Sequence, residues 1–301
     1  MPASTPPEPL SAPISCIIPT HDRPALLERA VRSIAAQTVQ PQQIIVADDL
    51  GLGRTRAEVD RLRTELAAPL TYVDSRPDAG GSTAGRNRNA GAATASGEFL
   101  AFLDDDDVWD PRFLELTLAR IGAGPELVAT WLSNVRGDVR SLWLRPEEGR
   151  SADDLLYNAQ LSGSNFVVRA EAFHAIGGFD PTLQVKNDND LMVRFLDAGF
   201  DYAVVPTSLV DRHSHDLGHL TGGGRRRYEG LDRYLDIYGA RMSRAQRRQM
   251  RRVMHSALRG RDATLPTRIY YSAAQLAMTS PRELAGAVRL RTIFGRKRMF
   301  N

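Results

Sequence analysis

Short apolar runs of strand length alternate with amphipathic runs of helical length through the first hundred residues, and this rhythm narrows the fold more than anything else in the chain. Residues 14–19 read as a buried strand, and residues 25–36 as a helix with Leu26, Leu27, Ala30, Val31 and Ile34 at helical spacing. Further strands are expected at 44–47, 70–73 and 98–103. Helices are expected at 55–66, at 83–95 where Ser96-Gly97 ends the run, and from Pro111. Strand–helix alternation of this kind implies a parallel sheet with helices on both faces.

The middle of the chain is less regular. Strands are expected at 127–132, 165–168 and 202–205, and helices at 170–176 and 191–198, with a long polar connection at 136–151. Residues 213–224 are rich in His and Gly and read as a mobile loop. From Arg225 the pattern is helical and arginine-rich, with breaks near Gly260 and Pro266.

Composition excludes several classes. The 301 residues are 42% hydrophobic and 25% charged, too apolar for a disordered chain. No apolar run approaches the roughly 18–20 residues that cross a bilayer. Residues 1–13 lack the basic start and apolar run of a signal peptide and are expected to be disordered. The single cysteine, Cys16, excludes an internal disulfide framework and a cysteine-based metal site, so a cytoplasmic setting is the default. The net charge of +3 conceals an asymmetry. Residues 241–301 carry 15 Lys/Arg against Asp262 and Glu283, hence +13, which leaves −10 on the first 240. A basic segment can touch phosphate or an anionic membrane face, or be solvated helix surface.

The residues that carry chemistry begin at Phe99-Leu-Ala-Phe-Leu-Asp104-Asp105-Asp106-Asp107-Val-Trp109. An apolar strand runs into four aspartates. Ligands of open α/β sheets bind beyond the carboxyl ends of strands. Four adjacent carboxylates repel one another, and a hard divalent cation such as Mg²⁺ or Mn²⁺ relieves that repulsion. If the backbone stays extended, only Asp104 and Asp106, or only Asp105 and Asp107, face one site. The alternative is a solvated acidic turn in which Asp107 or Asp110 caps the next helix.

Linked motifs surround this run: Ile17-Ile-Pro-Thr-His-Asp-Arg-Pro24, Ile44-Ile-Val-Ala-Asp48-Asp49 and Gly80-Gly-Ser-Thr-Ala-Gly-Arg86-Asn-Arg-Asn89-Ala-Gly91. In order and spacing they resemble the family 2 glycosyltransferases of the GT-A fold, over residues 14–221. The resemblance implies a Rossmann-like α/β fold: a mixed, mainly parallel sheet flanked by helices. Residues 14–224 would form the transferase domain, with a nucleotide-binding half (14–110) and an acceptor-binding half (111–224). Residues 225–301 would be a basic helical C-terminal extension.

The resemblance also implies an inverting transfer from a nucleoside-diphosphate sugar, UDP or dTDP favoured, to a hydroxyl or amine of a small-molecule or lipid-linked saccharide acceptor. Pro19 and Thr20 would lie against the nucleotide. Asp48 and Asp49 match the carboxylate that accepts from the base, though either could simply cap a turn. Gly81 lies in the segment over the ribose and diphosphate, and Arg86 would neutralise phosphate or hold the acidic run. Asp104 and Asp106 match the D-x-D pair, with Asp106 the metal ligand and Asp105 and Asp107 as alternatives. In Gly177-Gly-Phe-Asp-Pro-Thr-Leu-Gln-Val-Lys-Asn187-Asp188-Asn189-Asp190, the family's Glu-Asp pair aligns with Asn187-Asp188. That makes Asp188 the base, with N-capping as its other role and Asp190 as runner-up. His215, then His213, resemble loop residues that reach the metal or diphosphate, while His213, His215 and His219 could also form a zinc site. Trp109, Asn187, Asp190 and His213 are the acceptor-side candidates. Trp131 and Trp143 are further possible platforms, and Leu161-Ser-Gly-Ser164-Asn165 matches a segment beneath the site.

Two other readings stand beside this one. The aspartate string also fits the nucleophile loop of haloacid-dehalogenase-like phosphatases, with Asp104 as nucleophile. A non-catalytic nucleotide-sugar-binding module is the third. No nucleic-acid partner is expected. The extension would pack on the domain, form a homodimer, or touch the inner membrane face.

Overall fold

The computed structural model of the chain describes residues 10–66, 68–77, 81–213, 224–258 and 266. It divides into two units, Met1–Leu220 and Thr221–Asn301.

The first unit opens with β1 (Leu10–Thr20), α1 (Pro24–Ala35), β2 (Val39–Asp48), α2 (Gly53–Leu66), β3 (Leu70–Asp74), α3 (Ala84–Ala92) and β4 (Phe99–Phe102). β1 pairs parallel with β2 and β4, and β2 with β3. Both faces of β1 are covered. Ile14, Cys16 and Ile18 join one core cluster and Ile17 the other, so the strand reads as an unbroken apolar run. β1 starts earlier than expected. Residues 10–12 pair with Val39, Gln40 and Pro41, so the disordered lead does not extend to residue 13. Pro13 hides this in the sequence: it lacks an N–H, and the ladder skips between Ala12 and Ser15.

The chain continues through β5 (Asp107–Trp109), α4 (Phe113–Ile121), β6 (Leu127–Arg136), β7 (Val139–Leu144), α5 (Ala152–Leu155), β8 (Phe166–Arg169), α6 (Ala170–Ala175), α7 (Asn187–Asp197) and β9 (Tyr202–His213). Among the described residues the strands form one mixed sheet in the order β3-β2-β1-β4-β8-β6-β9-β5, with β7 paired to β6. β8 is antiparallel to both β4 and β6, so β6 and its parallel partner β9 run in the same direction as β4. The carboxyl ends of β1, β2, β4, β6 and β9 therefore share one edge of the sheet. Two expectations change here. The connection at 136–151 contains β7, which turns back on β6 through Gly137 (φ 57°) and Asp138. β9 does not stop at Val205 but runs to His213, because β6 and β5 both pair with its second half.

Helices α1, α2 and α4 cover one face with Leu27, Ile34, Val59, Leu62 and Phe113. Residues of α3, α5, α6 and α7 cover the other. There Phe102 packs against Phe166, Phe173 and Phe179 at 5.6, 5.3 and 5.3 Å between ring centroids. Each fully buried phenylalanine contributes about 1.5–3 kcal/mol, so this cluster anchors the end of β4 from which the aspartates emerge.

The second unit begins with α8 (Arg225–Tyr238) and α9 (Arg244–Ala257). α9 opens with a capping box between Ser243 and Gln246, and Gly224 N donates to Ala257 O at 2.9 Å. Leu231, Tyr234 and Tyr238 are buried at helical spacing, whereas Arg241, Arg244, Arg248 and Arg251 are exposed. The breaks expected near Gly260 and Pro266, and nearly all of the basic segment beyond Leu258, lie outside the described residues. Among those residues no helix is long and apolar enough to cross a membrane.

Candidate functional site

The aspartate run leaves β4 and turns at once. Leu103 N donates to Ile17 O at 3.0 Å, and Asp107 N donates to Asp104 O at 3.0 Å. The turn breaks the alternation expected of an extended chain. Asp104, Asp106 and Asp107 converge, one carboxylate oxygen of each lying within 4.8 Å of the others. Asp105 points the other way, accepting from Thr20 Oγ1 at 2.7 Å and pairing with Arg23 at 2.5 Å. Arg23 also reaches Asp106 at 3.4 Å, and Arg29 Nη2 donates to the Asp106 carbonyl at 2.7 Å.

Electrostatics make this convergence costly in the bare protein. Burial, then the charges of Asp104 and Asp106, push the Asp107 carboxyl well above its ordinary range, against the pull of Ser164 and Arg212. Asp107 Oδ1 is buried without a hydrogen-bond partner. Burial pushes Asp105 up to about 6, against Arg23 and Thr20. Three converging carboxylates, one with an orphaned buried oxygen, form the donor set a hard divalent cation takes.

A second group meets the first through Arg88. Its side chain on α3 is 3% exposed. Nη2 donates to Asp104 Oδ1 at 2.5 Å, Nη1 lies 3.9 Å from Asp188 Oδ1, and the guanidinium sits 5.2 Å over the Phe179 ring. Asp188 stands in the first turn of α7. Its backbone N–H donates to Asn187 Oδ1 at 2.9 Å. The residue before the helix, Lys186, has a left-handed φ of 65° and makes no side-chain cap. Asp188 is thus not spent on capping. Its side chain is 22% exposed, and Oδ1 accepts no hydrogen bond. Burial raises its carboxyl to about 6, with Arg88 opposing and Asp104 adding to the rise. Asp190, the runner-up, is 2% exposed and bound to Arg194 at 2.6 Å, so its carboxylate is committed to its own helix. Asn187 is buried beside Gly85.

The strand-end residues are also placed at this edge. Pro19 and Thr20 are buried where β1 ends. Asp48 accepts from Leu50 N, Leu52 N and Tyr72 Oη at 3.0, 3.1 and 3.0 Å, which is the turn-capping role. Asp49 is approached by His21 Nδ1 at 2.7 Å and bonded by Ser82 Oγ. Gly81 has open space where a side chain would begin, and Gly80 lies outside the described residues. Arg86 donates its backbone N–H to the Thr83 cap at 3.1 Å.

Arg88 joins Arg23 and Arg29 in bonding the acidic run, and the motif spacing does not single it out. Its signal was helical spacing, since Arg88 shares the buried face of α3 with Gly85 and Ala92. Arg23 and the Ser164 hydroxyl, which accepts from Asp104 N at 3.0 Å, were likewise not singled out for this role.

His213 ends β9 half-buried. Burial, then Arg29, lower its pKa against Asp211 and Asp106, which keeps the imidazole neutral near the acidic turn. His215 and His219 lie outside the described residues. Trp109 is not a sugar platform. It is 2% exposed, stacks on Phe113 at 4.1 Å, and donates Nε1–H to Ser164 O at 2.8 Å. The residue faces the core because β5 pairs with β9 and turns it inward. Trp143 is the exposed indole, at 49%, with Arg212 4.6 Å over its ring.

The profile described as glycosyl transferase family 2 matches residues 15–177. An uncharacterized glycosyltransferase of Haemophilus influenzae is 26% identical over 61% of this chain and 62% of its own length. The GalNAc(5)-diNAcBac-PP-undecaprenol beta-1,3-glucosyltransferase of Campylobacter jejuni is 37% identical over 31% of this chain and 29% of its own. The validoxylamine A glucosyltransferase of Streptomyces hygroscopicus is 38% identical over 42% of this chain and 26% of its own. The chain thus spans less than two thirds of the length of each. In fold it is similar to S. aureus TarS in complex with UDP-GlcNAc (TM-score 0.62, 19% identity, 90% of this chain and 83% of that one). It is also similar to the mannosyltransferase PcManGT of Pyrobaculum calidifontis with GDP-Man and Mn2+ (TM-score 0.58, 17% identity, 96% and 84%).

Proposed function

Since this chain belongs to glycosyl transferase family 2 and is a glycosyltransferase, we propose that it moves a sugar, with inversion, from a nucleoside-diphosphate donor to an acceptor hydroxyl or amine. The observation that carries the reading is the meeting of the Asp104–Asp106–Asp107 cluster with Asp188 through one buried arginine. Family membership overturns the phosphatase reading of Asp104, whose carboxylate is in any case engaged by Arg88.

Asp188 is the proposed base. It takes the proton of the acceptor hydroxyl as that oxygen bonds to the anomeric carbon, while the bond from that carbon to the diphosphate oxygen breaks and its electron pair leaves with the diphosphate. A carboxyl raised to about 6 is matched to this task, being ionised at neutral pH yet more basic than an ordinary aspartate. Asp104, Asp106 and Asp107, with His213 and His215 as further ligands, would hold Mn²⁺ or Mg²⁺, which supplies positive charge opposite the departing diphosphate. Arg88 holds Asp104 and Asp188 in register. Thr20, Asp49, Gly81 and Arg86 line the proposed donor side; support comes from their place at the ends of β1 and β2 and the start of α3. Asn187, at the start of α7, and the exposed Trp143 are the proposed acceptor contacts. The +13 charge of residues 241–301 supports contact with the anionic membrane face of a lipid-linked acceptor.

The neighbours named above were solved with UDP-GlcNAc and with GDP-Man and Mn2+, so base choice is the first thing to measure. A thermal-shift screen of UDP, dTDP and GDP, with and without Mn²⁺, is expected to give the largest Mn²⁺-dependent shift with UDP or dTDP. No shift with any of the three overturns the donor reading. Binding without turnover across an acceptor panel favours a non-catalytic module.

A further inference from the structure

Away from the acidic turn, β6, β7 and β9 line a shallow, open groove of about 440 Å³. A fault in the ladder makes it. Thr130 pairs with Val205 but Trp131 pairs with Ser208, so Pro206 and Thr207 bulge out of β9 with no partner on β6. The groove is lined by Trp131, Leu142 and Pro206 on the apolar side and by Ser133, Thr207, Ser208 and Arg140 on the polar side. Arg145 lies 4.8 Å over the Trp131 ring and fixes the indole.

The polar side is a connected array. Ser133 Oγ and Ser208 Oγ are 2.7 Å apart, Arg140 Nη2 donates to Ser208 Oγ at 3.2 Å, and Arg140 Nε donates to Asp211 Oδ1 at 2.7 Å. Asp211 pairs with Arg140 in the lining and offsets its charge, which weakens selection for an anion. Hydroxyls and a guanidinium beside an indole and a leucine match a molecule with an apolar face and a hydroxyl-bearing rim. A neutral pyranose is such a molecule.

The groove is also tied to the acidic turn. β9 carries Ser208 in its wall, and Asp211 and Arg212 lie opposite Val108 and Asp107 of β5. Four residues of strand, about 13 Å at 3.3 Å each, separate Ser208 from the partner of Asp107. We infer that this groove is a second saccharide-binding site, taking neutral sugar residues of an oligosaccharide whose end is presented to the reaction centre. The choice of ligand rests on the glycosyl-transfer reading; the site itself rests on the array and the bulge.

The test is saturation-transfer NMR of the full chain with maltohexaose, cellohexaose and chitohexaose, each at about 10 mM to detect millimolar affinity, beside an assay of UDP-glucose hydrolysis by the unsubstituted protein. Transfer to at least one hexasaccharide is expected. It should fall at least about fivefold in Trp131→Ala and in the surface variant Arg140→Ala, which keeps the melting temperature within about 2 °C, and should persist in Asp188→Asn. Absence of transfer with all three sugars, or transfer undiminished in both groove variants, overturns the inference even if hydrolysis is seen. Groove-dependent binding without donor hydrolysis upholds the groove and counts against the transfer reading alone.

Discussion

Gly163 and Arg88 occupy one another's space: a methyl group on Gly163 would stand 1.9 Å from Arg88 Nη2. The absent side chain is what lets a guanidinium lie buried between Asp104 and Asp188. Gly163→Ala should therefore displace Arg88, lower stability by about 1–3 kcal/mol, the usual cost of overpacking, and reduce turnover more than donor affinity. Arg88→Ala should cost more, about 3–5 kcal/mol, because it strands two carboxylates. Denaturant midpoints with paired kcat and KM values check both.

Asp188→Asn should lower kcat by about 10²–10⁴ with little change in nucleotide affinity. In the unsubstituted enzyme kcat/KM should climb as pH rises through about 6 and then level off if Asp188, as proposed, acts as the base in its carboxylate form. Stability runs the opposite way. The folded pKa is raised above the unfolded value near 3.9, so this group's contribution is whole below about pH 4 and is lost as pH rises through about 6. Thermal melts from pH 4 to 7 should show a smaller decline in Asp188→Asn than in the parent.

Asp107→Asn should raise the melting temperature of cation-free protein at pH 7, since it removes a buried charge whose folded pKa is raised. The same variant, like Asp106→Ala, should abolish any Mn²⁺-induced shift. A Mn²⁺ shift that survives in both would remove the cluster as the cation site.

Trp109→Ala should cost about 3–5 kcal/mol, as for a large buried side chain. Trp143→Ala should stay within about 0.5 kcal/mol and act, if at all, on acceptor KM. Urea unfolding and acceptor titrations separate the two indoles.

What was legible in the sequence was whatever repeats along one strand or helix. β1 and β4 are apolar on both faces and announce themselves, and the acidic turn follows from its place after β4; Asp188 is legible only through the family resemblance of its segment. What was hidden depends on partners far away in sequence. β7 is exposed at five of its six positions and has no apolar alternation, so only its ladder with β6 makes it a strand. The convergence of Asp107 with Asp104 and Asp106 needs a turn that four identical residues do not signal. Arg88 is inconspicuous beside Arg86 because only the buried face of α3, and not the motif spacing, marks it out. Trp109 stands next to the aspartates in sequence, yet its strand pairing sends it to the core.

Arg23 holds Asp105, whose other oxygen contact is Thr20, and also reaches Asp106 in the cluster. One side chain thus spans the tip of β1 and the cradle of carboxylates. Any ion that draws Asp106 inward must loosen that grip, so loading one compartment is felt at the threshold of the other. If the cluster takes a cation and the β1 tip a nucleotide, as proposed, the two would be thermodynamically linked: each should tighten or weaken the other by the same factor, whichever arrives first.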